Sequence, residues 1–198
     1  MSSRLFVVGI LGLQGDITEM RHYFENLQLD QPLQIRILRS IRDFDLLDLL
    51  VIPGGESGTI LRVLKRRQML ASCLRFLEQG GAFFGTCAGL IVYSELLRIQ
   101  GIQSYRYERN ADGRQLRSQF KQTQNDAGNR LNHPYVRAPR ILEILNSEFE
   151  PLFGEMNDLR VVRSKKYRSL LLTGHPELNH SYDQYIRDFL NDVISNSH

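Results

Sequence analysis

Apolar residues run almost unbroken from Phe6 to Leu13, return in Ile35-Arg36-Ile37-Leu38, and dominate Leu46 to Ile52, Ala82-Phe83-Phe84 and Ser169 to Thr173. Short runs without polar alternation are the pattern of strands covered on both faces, which is how a parallel sheet is built. Between them the pattern turns helical. Asp16-Ile17-Thr18-Glu19 resembles a capping box and predicts a helix through about Leu29. A second helical stretch starts near Thr59 after Pro53-Gly54-Gly55 stops the strand before it; it breaks near Gln68, resumes to Gln79 and ends at the Gly80-Gly81 turn. Ser181-Tyr182-Asp183-Gln184 has capping-box spacing and opens a last helix to about Ile194. Strands alternating with helices predict an α/β fold of βαβ units, with the loops that follow the strands gathered on one edge of the sheet, where ligands of such folds bind.

Beyond Leu97 the pattern shortens to extended pieces around Ser104–Tyr107, Leu116–Phe120, Tyr135-Val136, Ile141–Leu145 and Leu159–Val162. Lys121 to Asn132 is polar and rich in Asn, Gln and Gly, and reads as an exposed loop with no chemistry of its own. No repeat or linker divides the chain, so residues 1–198 are expected to form a single domain.

Chemistry enters at Gly85-Thr86-Cys87-Ala88-Gly89, between an apolar run and the helical pattern Leu90-Ile91-Val92-Tyr93. A strand, a Gly-x-nucleophile-x-Gly turn and a helix spell a nucleophile elbow, here with sulfur at the tip. The flanking glycines let backbones crowd around a strained nucleophile. The helix N-terminus then favours a thiolate, and the Ala88 N–H faces the place where an oxyanion would form. Taken alone, the same five residues also fit a small buried cysteine. Gly174-His175-Pro176-Glu177 follows the last strand and should reach the same sheet edge. Pro176 pushes His175 toward extended geometry, in which residues two apart share a side, so Glu177 can hold one imidazole nitrogen while the other takes the thiol proton. Pro53-Gly54-Gly55-Glu56-Ser57 offers glycine N–H groups to complete an oxyanion hole, or simply a turn with Ser57 capping the next helix.

Composition narrows the function classes. With 198 residues, 42% of them hydrophobic, the chain can bury a substantial core. Its formal charge of +3 and the runs Lys65-Arg66-Arg67 and Arg163-Ser164-Lys165-Lys166-Tyr167-Arg168 describe solvated faces, and no nucleic-acid partner is expected. The apolar start is too short and too interrupted by glycine to span a membrane, and acidic residues follow at once. Cys73 and Cys87 could pair only by consuming the proposed nucleophile, which favours a reduced, cytoplasmic setting; neither has a neighbouring cysteine, so zinc is not expected.

Several segments together resemble the glutaminase subunits of pyridoxal 5'-phosphate synthase, within the class I glutamine amidotransferases. They are Gly9–Gly15, Pro53–Ser57, Gly85–Ile91, Glu108-Arg109-Asn110, Gly113-Arg114-Gln115, Arg137-Ala138-Pro139 and His175-Pro176-Glu177, and they run in the family's order over nearly the whole chain. The resemblance implies a three-layer α/β sandwich with a mostly parallel central sheet. It also implies hydrolysis of L-glutamine to glutamate and ammonia by Cys87, His175 and Glu177, an oxyanion hole from the N–H groups of Gly55 and Ala88, and glutamine bound at Gly55, Glu56, Ser57, Arg109, Val136 and Arg137. No metal or cofactor is implied. The ammonia would pass to a synthase subunit in a large hetero-oligomeric complex, with Gln14 at that interface. Either arginine could meet the glutamine carboxylate through a bidentate fork.

Gly174 stands where the family usually carries an aromatic, Gly58 where threonine is common and Asp112 where an aromatic is frequent, and the segment between Glu95 and Glu108 looks shortened. The alternatives are a glutaminase serving another ammonia-channelling pathway such as imidazole glycerol phosphate synthesis, a catalytically silent regulatory member of the fold, or a cysteine hydrolase of peptides or another small amide.

Overall fold

The computed structural model describes residues 4–111, 120–124, 130–134 and 138–196. The apolar runs become β1 (Phe6–Leu11), β2 (Leu33–Leu38), β3 (Leu49–Ile52) and β4 (Ala82–Thr86), separated by helices α1 (Ile17–Asn26), α2 (Ser57–Arg66) and α3 (Leu70–Glu78), and followed by α4 (Ala88–Ile99). Then come β5 (Tyr105–Glu108), β6 (Phe120–Gln124), β7 (Arg130–Pro134), β8 (Arg140–Ile144), β9 (Glu150–Glu155), β10 (Asp158–Ser164), β11 (Ser169–Leu172) and α5 (Asp183–Ser195).

The main sheet runs β2-β1-β3-β4-β11-β10-β8-β5, with β9 also on β10. From β2 to β11 every pairing is parallel, and from β11 outward every pairing is antiparallel. Burial explains why the first half reads as continuous apolar runs. In β3, Leu49 and Val51 pack with α1 and α5, whereas Leu50 and Ile52 pack with α2, α3 and α4, and all four are fully buried. Strand alternation therefore feeds two cores, one on each side of the sheet, and the three expected layers follow. Among the described residues no helix is long and apolar enough to cross a membrane.

Several expectations need correction. Lys121 to Asn132 does not read through as a loop, because β6 and β7 pair antiparallel from Phe120↔Pro134 to Gln124↔Arg130. Strand β9 went unseen: Pro151 and Gly154 break its pattern, and it exists by pairing with β10. Leu46 lies outside β3, at φ 60 and 72% exposed. The helix expected through Leu29 stops at Asn26. The helix after β3 starts two residues before Thr59, because Glu56, not Ser57, caps it: its carboxylate accepts from Gly58 N (3.2 Å) and Thr59 N (2.6 Å). Asn179 rather than Ser181 supplies the cap near the last helix, accepting from Ser181 N over a 3-10 turn at His180–Tyr182. The extended piece at Tyr135-Val136, most of the one at Leu116–Phe120, and Asp112 lie outside the described residues.

Candidate active site

Strand order brings the site together. β1 is flanked by β2 and β3, so the chain reverses direction across the sheet there, and a crevice opens at the carboxyl ends of the strands. The loops after β1, β3, β4 and β11 meet in that crevice around a cavity of about 400 Å³, the size of a small-molecule site. Its lining includes Gly55, Glu56, Ser57, Cys87, Ala88, Arg109 and His175. Val136 and Arg137, expected to bind glutamine, lie outside the described residues.

Cys87 sits between β4 and α4 at φ 47, ψ −106, a sparsely populated conformation that costs about 1–3 kcal/mol and is held by its surroundings. Its backbone N–H donates to the Leu172 carbonyl (2.9 Å), which ties the elbow to the end of β11. A Cβ on Gly89 would collide with the Ile52 carbonyl oxygen, and one on Gly85 would lie 3.0 Å from the Gly89 carbonyl carbon. The glycines are thus required for close packing, as the motif suggests. Cys73 is different: it is fully buried on α3, and burial pushes its thiol up to about 12, leaving it inert.

Because β4 and β11 pair in parallel with Thr86 opposite Leu172, the residues that follow them emerge side by side. His175 is extended at φ −121, ψ 92, as Pro176 requires. The contact with Glu177 is not made by an extended segment, however. Pro176–Leu178 forms a 3-10 turn capped by His175, with Leu178 N bonded to the His175 carbonyl (3.2 Å), and this turn folds Glu177 back under the ring. Glu177 Oε1 lies 2.7 Å from His175 Nδ1, and its side chain is 1% exposed. That leaves the other ring nitrogen for the sulfur, which shares the cavity lining with His175. Burial opposes the charged ring, but Asp16, Cys87 and Glu177 together outweigh it and hold His175 well above its ordinary value.

Gly55 adopts φ +150, and a Cβ there would lie 2.6 Å from Gln14 Oε1. Gln14, which the resemblance places at a partner interface, lines the cavity and accepts from Glu56 N (2.8 Å). The Glu56 carboxylate is engaged as the α2 cap, which holds it below the usual carboxylate range. Arg109 lies over the Tyr107 ring, 5.9 Å from its centroid, and belongs to the cavity lining. A side chain at Gly58 would make only ordinary contact with Glu56 at 3.4 Å, so the glycine there is not sterically required.

Sequence reasoning missed Asp16 as a site residue. It was assigned to a capping box, yet its side chain makes no cap bond and its Oδ2 lies 3.5 Å from His175 Nδ1. Asp16, His175 and Glu177 form the one cluster among the described residues whose ligating atoms lie within 4.8 Å of one another, as a metal site would need. The Nδ1 that a cation would require already bonds Glu177 at 2.7 Å, and the group has the chemistry of a proton-handling unit.

The sequence profile of the SNO glutamine amidotransferase family matches residues 10–195. The chain belongs to this family. It is 32% identical over 196 residues to the pyridoxal 5'-phosphate synthase subunit PdxT of Methanococcus aeolicus, covering 96% of this chain and 98% of the relative. It is 34% identical over 203 residues to the protein of the same description from Pyrococcus horikoshii, covering 94% and 99%. A crystal structure described as a glutamine amidotransferase is 30% identical with a TM-score of 0.75, covering 94% of this chain and 98% of that one. A chain of the PurLQS structure from Thermotoga maritima shares the fold alone, at 13% identity and a TM-score of 0.60.

One departure of this amidotransferase from its family has a structural reason. Where an aromatic is usual, a Cβ on Gly174 would collide with the hydroxyl of Tyr182, which is fully buried beside the His175 turn. Tyr182 fills the space that a side chain at 174 would take. Gly174→Phe alone is expected to lower both Tm and glutamate release, and adding Tyr182→Ala to restore part of each; a double variant no better than Gly174→Phe would show that the positions share no space.

Proposed function

We propose that this glutamine amidotransferase is the glutaminase subunit of a pyridoxal 5'-phosphate synthase, acting through Cys87, His175 and Glu177. The observation that carries the reading is the thiol–imidazole–carboxylate arrangement opening into a cavity of amino-acid size, in a chain whose relatives bear that description. His175 takes the thiol proton as sulfur attacks the side-chain amide carbon of L-glutamine. The tetrahedral oxyanion is met by the N–H groups of Gly55 and Ala88, where one lost donor typically costs about 3 kcal/mol of barrier. Collapse breaks the carbon–nitrogen bond, and His175 passes its proton to the leaving nitrogen, which departs as ammonia. Water, deprotonated by His175, then attacks the thioester and releases glutamate and the Cys87 thiol. Arg109, in the cavity lining, would offer a bidentate fork to the α-carboxylate.

The ammonia goes to a separate synthase subunit. Glutamate release by the isolated chain is expected to be weak and to rise, mainly through kcat, when that subunit is added. The chain carrying Cys87→Ala should still bind the synthase, and the complex should make pyridoxal 5'-phosphate from ammonium salts but not from glutamine. Equal turnover with and without the synthase, together with no complex in the presence of glutamine, would sink the channelling role. Hydrolysis of peptides in place of glutamine would point to a different amide hydrolase.

A further inference from the structure

The N-cap position of α1 holds an aspartate that does not cap. An Asp at this position ordinarily accepts from the amides of the first helical turn. Here the Asp16 backbone opens the helix, its carbonyl accepting from Met20 N (3.0 Å), while its own N–H donates to the Gly54 carbonyl (3.2 Å). Its carboxylate instead turns to the catalytic ring, with Oδ2 3.5 Å from His175 Nδ1. The two side chains meet over a bare backbone: a Cβ on Gly54 would collide with His175 Cε1 and lie 2.6 Å from Asp16 Oδ2.

We propose that Asp16 is a second carboxylate of the His175 unit, a positioning residue that steadies the protonated ring from the cavity side while Glu177 does so from the buried side. This rests on the glutaminase reading and deepens it. At 2.7 Å, Glu177 accepts the Nδ1 hydrogen; at 3.5 Å, Asp16 acts through its charge. Asp16 is 44% exposed and Glu177 1%, so the pair combines one screened and one desolvated anion around a single ring. The same contact holds the Asp16 carboxyl below the usual carboxylate range. Among the described residues, the other groups around the ring are few. Cys87 faces it from the elbow, Tyr182 packs beside Gly174 from the 3-10 turn before α5, and Arg109 and Glu56 line the cavity, the latter with its carboxylate on the α2 N-terminus. Behind Glu177, Tyr23 of α1 bonds Asp183, which pairs with Arg187. Proton balance is simple. The ring gains one proton from the thiol and returns it to the leaving nitrogen; Asp16 stays ionised throughout and favours the state in which the ring holds it.

The test uses Asp16→Asn, which keeps shape and capping ability but removes the charge, and Asp16→Glu, which keeps the charge. The His175 ring is titrated by NMR in the isolated chain, its resonances identified by their loss in His175→Gln. The midpoint in Asp16→Asn is expected to fall by about one pH unit, the low end for an opposite charge at this distance because half of Asp16 faces water, and to recover in Asp16→Glu. Glutamate release with the synthase present should fall about tenfold in kcat with KM little changed, and the alkaline limb of its pH profile should move down with the ring. An unchanged midpoint, or a shifted midpoint with unchanged kcat, overturns the proposal. Because the NMR titration involves no glutamine, a wild-type chain that never releases glutamate sinks the glutaminase reading, while the ring midpoint still decides whether Asp16 acts on His175.

Discussion

Cys87→Ala is expected to abolish glutamate release, and a glutamine-analogue electrophile should label Cys87 and leave Cys73 untouched. The expectation follows from contrast between two buried thiols. Cys73 packs with Met69 and Phe76 in the core shared by α2, α3 and α4, where burial holds it neutral. Cys87 stands at the start of α4 in a conformation its neighbours enforce, and it lines the cavity together with His175. Among the described residues Ser57 also lines the cavity, but it is buried at the first position of α2 and not at the elbow. Removing the sulfur therefore removes the covalent route itself. The fold should survive, since Ala at 87 keeps the N–H to Leu172 that joins β4 to β11. Peptide mapping of the label decides the matter, and label on Cys73 with activity intact in Cys87→Ala would defeat the assignment.

His175→Asn should cost about 10⁴-fold in kcat within the activated complex, because the ring handles a proton in both halves of the reaction and no neighbour can replace it. Glu177→Gln should cost less. The amide oxygen can still accept the Nδ1 hydrogen, and the charge of Asp16 remains on the cavity side. Stability should fall with activity in this variant. Glu177 is the buried partner of a ring held protonated, so a neutral amide there leaves the imidazolium short of its countercharge, and Tm should drop along with kcat. Steady-state glutamate release and thermal melts on the same preparations test both statements. His175→Asn with ordinary turnover would reject the role of the ring.

The α/β layering and the candidate nucleophile were legible in the residues alone. Strands buried on both faces must be apolar throughout, so β1, β3, β4 and β11 announce themselves, and an elbow whose glycines pack against Ile52 and one another leaves a local signature. The partnership of His175 and Glu177 was legible too, although the 3-10 turn that makes it was not, since Pro176 restricts the residue before it more visibly than those after it. Strand β9 and the β6–β7 pair were hidden because such pairings depend on a partner strand more than on residue type. Glu56 and Asp16 show the same limit at the site. Each lies at a helix start, where local pattern offers Ser57 as one cap and Asp16 as the other, yet Glu56 caps and Asp16 does not. Only the tertiary structure brings the loop after β1 against the loop after β11, about 160 residues on, and a carboxylate that could gain a modest local cap bond is turned instead toward a buried ring whose charge it can stabilise.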